Sequence, residues 1–101
     1  MVYTINENAL VPAIVLYEVY KRFSQTRTEQ EARTAAGNMQ QGILVEISAE
    51  IALRGAKLSL LHRLHMADSL ILATAQAYSA ELWTMDADFE GIPGVQYFRK
   101  K

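Results

Sequence analysis

The chain has 101 residues, 50% of them apolar and 21% charged, with a formal net charge of −1. That is the composition of one globular domain, and the near-neutral balance excludes the broad basic surface by which many nucleic-acid binders announce themselves. The absence of cysteine rules out disulfides, zinc thiolates and a thiol nucleophile, and no apolar run approaches the ~20 residues of a membrane helix.

The opening MVYTINENAL lacks the basic stretch and apolar core of a secretory signal, so a soluble cytoplasmic protein is expected. Residues 9–15, ALVPAIV, read as a short buried strand leading into a turn at Pro12. From Leu16 the period changes: Leu16, Val19, Tyr20 and Phe23 predict a helix with one core face. Thr28 and Glu31 have capping-box spacing, and Ala32, Ala35, Ala36 and Met39 continue a second helix that Gly42 should end. Residues 43–47, ILVEI, form a β-branched strand.

Ser48 is a candidate N-cap for a third helix with a buried stripe of Ala49, Ala52, Leu53 and Ala56. A loop, LLHRLH, should separate it from a fourth helix that opens at Asp68 and carries Leu70, Ile71, Thr74, Ala75 and Ala77. Residues 81–84 then read as a strand, 86–94 as a polar loop broken by Gly91, Pro93 and Gly94, and 95–98 as a last strand. Strands separated by helices predict a parallel α/β sheet covered on both faces.

In such a sheet ligands gather at the carboxyl ends of the strands. Asp86 and Asp88 follow the strand that ends at Thr84, Asp68 opens a helix, and Glu18 lies early in the first helix. Converging carboxylates repel one another, and a hard divalent cation is the usual compensation. Each acid also has a plainer reading. Asp68 suits an N-cap, Glu18 and Arg22 have the spacing of a surface ion pair, and Asp86 and Asp88 suit a turn. A calcium loop beginning at Asp86 fails because its twelfth position is Tyr97. His62 and His65, six and three residues before Asp68, hint only weakly at a transition-metal site, surface histidines being the commoner case.

The segments LVPAIVLYEVYKR, AEIALRGAKLS, HMADSLILATAQAY and AELWTMDADFEGIPGVQYF, taken in order, resemble the PIN domain, and more narrowly the VapC-type toxin of bacterial toxin–antitoxin pairs. The resemblance implies a three-layer α/β/α fold and a Mg²⁺- or Mn²⁺-dependent endoribonuclease, with a cognate antitoxin and a second copy of the chain as partners. It assigns Glu18, Asp68 and Asp86 as catalytic and metal-binding acids, and Asp88 as an auxiliary ligand. Thr84 becomes the hydroxyl residue that orients Asp86 or the attacking water, while Lys21 and Arg22 are candidate phosphate contacts.

One feature of the family is missing. Its members open with a strand carrying an aspartate, followed by a helix, before the segment equivalent to residues 9–15. The resemblance therefore implies a single PIN-like domain over residues 1–101 that is incomplete at its N-terminus. The upstream acid Glu7, in a polar turn, is no substitute for a strand-end aspartate. A non-catalytic module acting through dimerisation or antitoxin binding is the competing expectation.

Overall fold

The structure, a computed structural model, describes residues 10–99 and the backbone of residues 3–5. Glu7 lies outside the described residues. The elements run β1 (Tyr3–Ile5), β2 (Leu10–Pro12), α1 (Ala13–Thr26), α2 (Glu29–Met39), β3 (Ile43–Val45), α3 (Ala49–His62), α4 (Met66–Ala77), β4 (Leu82–Thr84) and β5 (Val95–Tyr97). β2 pairs in parallel with β3, and β4 in parallel with β5. The fold is thus a mixed α/β domain with parallel strands, as expected. A strand unforeseen in the sequence, β1, pairs antiparallel along the other side of β4 and approaches β2.

Pro12 ends β2 and caps α1, so the helix starts at Ala13 rather than Leu16, with no intervening turn. Proline suits this junction: it has no N–H for the ladder or for the first helical turn, and its φ of −62° is already set for the helix. The α1 face read as core is only half-buried, because α1 packs mainly on α2 and less on α4. Ile14 and Val15 are its residues that reach the core. The Thr28 hydroxyl accepts from the Glu31 N–H at 3.1 Å and caps α2, which ends at Met39, before Gly42.

The Ser48 hydroxyl accepts from the Ile51 N–H at 3.1 Å, as the N-cap reading requires. Two expectations for α3 fail. Its buried face is Ile51, Gly55 and Leu58, while Ala49, Ala52, Leu53 and Ala56 face solvent. The residues LLH of the expected loop are helical too, and the chain turns at Arg63, whose left-handed φ of 55° closes the helix. Ser59 Oγ secures that corner by donating to the Leu64 carbonyl at 2.6 Å. Gly55 explains the chosen face: a Cβ there would lie 3.0 Å from Leu70 Cδ2 and 3.5 Å from the Ser69 carbonyl. Hydrogen is what lets α3 and α4 approach this closely.

Helix α4 is the centre of the molecule. Every residue from Ser69 to Ala75 is buried, which is how a helix apolar on all sides must be used. Its buried hydroxyls are satisfied within the helix, Ser69 donating to the Met66 carbonyl and Thr74 to the Leu70 carbonyl, both at 2.8 Å. Val45, Ile51, Leu58, Leu82, Phe89 and Ile92 complete the core around it. The segment read as a polar loop, 86–94, is in fact anchored: a 3₁₀ turn, Ala87–Phe89, drives Phe89 into full burial and Ile92 follows. Gly91 and Gly94 supply the positive φ values of 82° and 83° that return the chain to β5.

Candidate metal centre

Three elements deliver carboxylates to one place. Asp68 stands in the first turn of α4, whose N-cap is His65; the plainer reading of Asp68 as the cap itself is therefore incorrect. An acid in this turn is favoured by the partial positive charge of the helix N-terminus. Asp86 and Asp88 come from the carboxyl end of β4 and the 3₁₀ turn that follows. One carboxylate oxygen from each of Asp68, Asp86 and Asp88 lies within 4.8 Å of the others. Asp68 and Asp86 are half-buried and Asp88 is exposed.

The local backbone explains the convergence. Thr84, buried at the end of β4, is held from both flanks: β4 pairs with β1 and β5. Its Oγ1 accepts the Asp86 N–H at 3.0 Å. Asp86 Oδ1 in turn accepts the Asp88 N–H at 3.0 Å and caps the 3₁₀ turn. Thus Thr84 positions Asp86 through its backbone, and Asp86 positions Asp88.

Glu18 comes from α1 and stands beside this group rather than within it. Burial, and then the negative charge of Asp68, pushes its carboxyl above the ordinary glutamate range, with Lys21 partly opposing both. Its Oε1 is buried without a hydrogen-bond partner among the described residues, an arrangement that typically costs about 1–3 kcal/mol. The expected alternative, a surface ion pair with Arg22, is not formed: among the described residues the ion pairs are Arg27–Glu31, Arg33–Glu29 and Arg54–Glu50.

This donor set fits a hard divalent cation. An orphaned, buried carboxylate oxygen and three mutually repelling carboxylates are all relieved by one positive charge, and oxygen donors are what Mg²⁺ and Mn²⁺ prefer. The histidines take no part among the described residues: His62 ends α3, His65 caps α4, and neither joins the acidic group.

The basic candidates differ. Lys21 Nζ sits 5.8 Å from the centre of the Tyr17 ring and is close enough to act on the Glu18 charge. Arg22 is exposed, and its carbonyl accepts from the Thr26 hydroxyl at 2.8 Å. Between α1 and α2 lies an open groove of about 590 Å³, lined by Leu16, Tyr17, Tyr20, Lys21 and Arg33 among others. The helical periodicity marks Leu16 and Tyr20 as part of one apolar face but carries no sign of the groove they line. None of the acids lines it, and Lys21 is shared between the groove and the electrostatic surroundings of Glu18.

The PIN domain model matches residues 2–95. The chain belongs to the PIN domain family. A toxin–antitoxin complex from Klebsiella pneumoniae contains a chain 33% identical, with a TM-score of 0.75 over 90% of this PIN chain and 75% of that one. VapBC2 from Rickettsia felis, solved bound to a DNA fragment from its promoter, contains a chain 20% identical, with a TM-score of 0.69 over 89% and 73% of the respective lengths; this likeness shows the fold. The resemblance to a VapC-type toxin is thereby borne out. No curated protein sequence matches the PIN chain significantly. None of its described helices is long and apolar enough to cross a membrane.

Proposed function

We propose that this PIN-domain protein is a divalent-metal-dependent endoribonuclease, the toxin of a toxin–antitoxin pair, acting in the cytoplasm. The observation that carries the reading is the packing of Asp68, Asp86 and Asp88 oxygens within 4.8 Å beside a buried, partnerless Glu18 oxygen. When bound, Mg²⁺ or Mn²⁺ supplies positive charge for the scissile phosphate and lowers the pKa of water. Asp68 and Asp86 are its principal holders, Asp88 assists from the rim, and Glu18 completes the donor set from α1. Thr84 keeps the Asp86 backbone in place. Lys21 meets substrate phosphates from α1, with Arg22 the weaker candidate on the same helix. The antitoxin partner and self-association follow from the likeness to toxin–antitoxin complexes and from the family.

A second reading rests on β1. The strand beside β4 contributes Tyr3, Thr4 and Ile5 and no carboxylate, whereas the family places an acid on its opening strand. On that reading the protein binds its partners without cutting RNA. One experiment separates the two. Purified protein is incubated with RNA in Mg²⁺, in Mn²⁺ and in chelator, alongside Asp68→Asn and Asp86→Asn. Cleavage that requires metal and both aspartates supports the nuclease. Intact RNA in every condition, with the protein folded, rejects it in favour of the binding module.

A further inference from the structure

We infer that Ser59 is a positioning residue for the acidic centre: its hydroxyl holds the corner between α3 and α4, and through that corner fixes the turn of α4 that carries Asp68. This rests on the metal centre proposed above. Ser59 lies in the last turn of α3 and is half-buried. A serine inside a helix commonly donates back to the carbonyl four residues earlier. Ser59 donates forward instead, across the corner, to the Leu64 carbonyl at 2.6 Å. Its own carbonyl accepts the Leu64 N–H at 3.2 Å, and also the Arg63 N–H that closes the helix. Both backbone polar groups of Leu64 are therefore tied to one residue.

The corner needs such a hold. Arg63 at its apex has φ 55° and ψ 44°, a left-handed conformation that disfavours any side chain and usually falls to glycine. Helix α4 brings little of its own to the junction. His65, its N-cap, makes no side-chain hydrogen bond to the first turn, where a serine or aspartate would satisfy one of the free N–H groups. Core burial grips α4 from Ser69 onward, whereas Met66 is 70% exposed and Ala67 and Asp68 are half-buried. The first turn is tied by Ser69, whose N–H donates to the His65 carbonyl at 2.9 Å and whose hydroxyl donates to the Met66 carbonyl at 2.8 Å. Both acceptors follow directly on the Leu64 peptide group that Ser59 holds. Asp68 is thus aimed from two sides, by the core behind it and by the corner ahead of it. Each residue of helix turns a side chain by about 100°, so a first turn that frays or rewinds carries Asp68 away from Asp86 and Asp88. Those two are placed independently, through Thr84 at the end of β4.

Calorimetric titration of Mn²⁺ into the metal-free full chain, beside urea unfolding and amide hydrogen exchange, tests this. Ser59→Ala should bind Mn²⁺ roughly tenfold more weakly than the wild type, the lower end of what losing a support behind a metal ligand costs. Without metal, its Leu64 and Ser69 amides should exchange faster, by a larger factor than that of Ala73 in the middle of α4. Ser59→Thr keeps the hydroxyl and should bind as the wild type does. Arg63→Gly, added to Ser59→Ala, lets the chain take the left-handed turn unaided and should recover most of the loss. Ser48→Ala removes a hydroxyl contact at the far end of α3; it should unfold at lower urea yet keep its affinity, which separates aiming from stability. Binding of Ser59→Ala at wild-type strength would overturn the positioning role while the metal centre stands. An equal loss in Ser59→Thr or in Ser48→Ala, or no recovery with Arg63→Gly, would overturn it too. A wild type that binds no Mn²⁺ would overturn the metal centre and the role together. Should Ser59→Ala fail to fold, the isosteric pair Ser59→Thr and Ser59→Val decides: equal affinities refute the part given to the hydroxyl.

Discussion

Gly55 offers the sharpest test of how the scaffold aims the acidic centre, because it lies where α3 meets the turn of α4 that carries Asp68. Replacing it by alanine sets two effects against each other. Alanine is about 1 kcal/mol better than glycine in a helix interior. Its methyl, however, would arrive 3.0 Å from Leu70 Cδ2, the movable end of a side chain, and 3.5 Å from the fixed Ser69 carbonyl. Only the first contact needs to give, so Gly55→Ala should change stability by less than about 1 kcal/mol, the propensity gain offsetting mild overpacking. Gly55→Val is different. Its extra methyls have no way past the Leu70 Cα, already 3.7 Å from the Cβ position, and overpacking of this kind costs about 1–3 kcal/mol. α4 must then shift, and Ser69 adjoins Asp68 in sequence. Urea unfolding followed at 222 nm should show Gly55→Val destabilised by about 2 kcal/mol with an unchanged denaturant slope, together with weaker Mn²⁺ binding. A valine variant as stable as the wild type would refute the close α3–α4 approach.

Three further outcomes are expected. Ser48→Ala removes the hydroxyl that caps α3 and should cost about 1 kcal/mol in the same urea titration. Phe89→Ala empties a fully buried site between the 3₁₀ turn and the core; a loss of about 3–5 kcal/mol is expected in urea unfolding. Glu18→Gln probes linkage. The folded-state carboxyl of Glu18 is shifted upward, so the native state holds that proton more tightly than the unfolded chain, and ionisation destabilises the metal-free protein as pH rises through the window above the ordinary glutamate value. Metal-free Glu18→Gln should therefore melt higher than wild type at pH 7 and match it at pH 3; equal melting temperatures at both would contradict the assigned cause.

The order of helices and parallel strands was legible because capping residues and β-branched runs mark it locally: Thr28 and Ser48 cap as read, and Asp86 and Asp88 follow a strand as read. What failed depended on tertiary partners. Helix α3 has apolar residues on two faces, and periodicity favoured Ala49, Ala52, Leu53 and Ala56 as the core stripe, whereas Ile51, Gly55 and Leu58 are the residues buried. The glycine was the available clue, since a helix keeps it where another backbone comes close. The corner at Arg63 was hidden because no glycine announces its left-handed turn. Three-residue β1 is too short for alternation to reveal. In the same way, the four-residue spacing of Glu18 and Arg22 suggested a solvated pair, and only the burial that the fold imposes, with Asp68 nearby, exposes Glu18 as a desolvated acid.

The proposed metal centre requires Asp68, Asp86 and Asp88 to share one divalent ion. Calorimetric titration of Mn²⁺ into metal-free protein measures this directly, without RNA or antitoxin. Saturable binding that drops at least tenfold in Asp68→Asn and again in Asp86→Asn, with both variants folded, is the predicted result. Binding of equal strength in both variants, or none in the wild type, would contradict it.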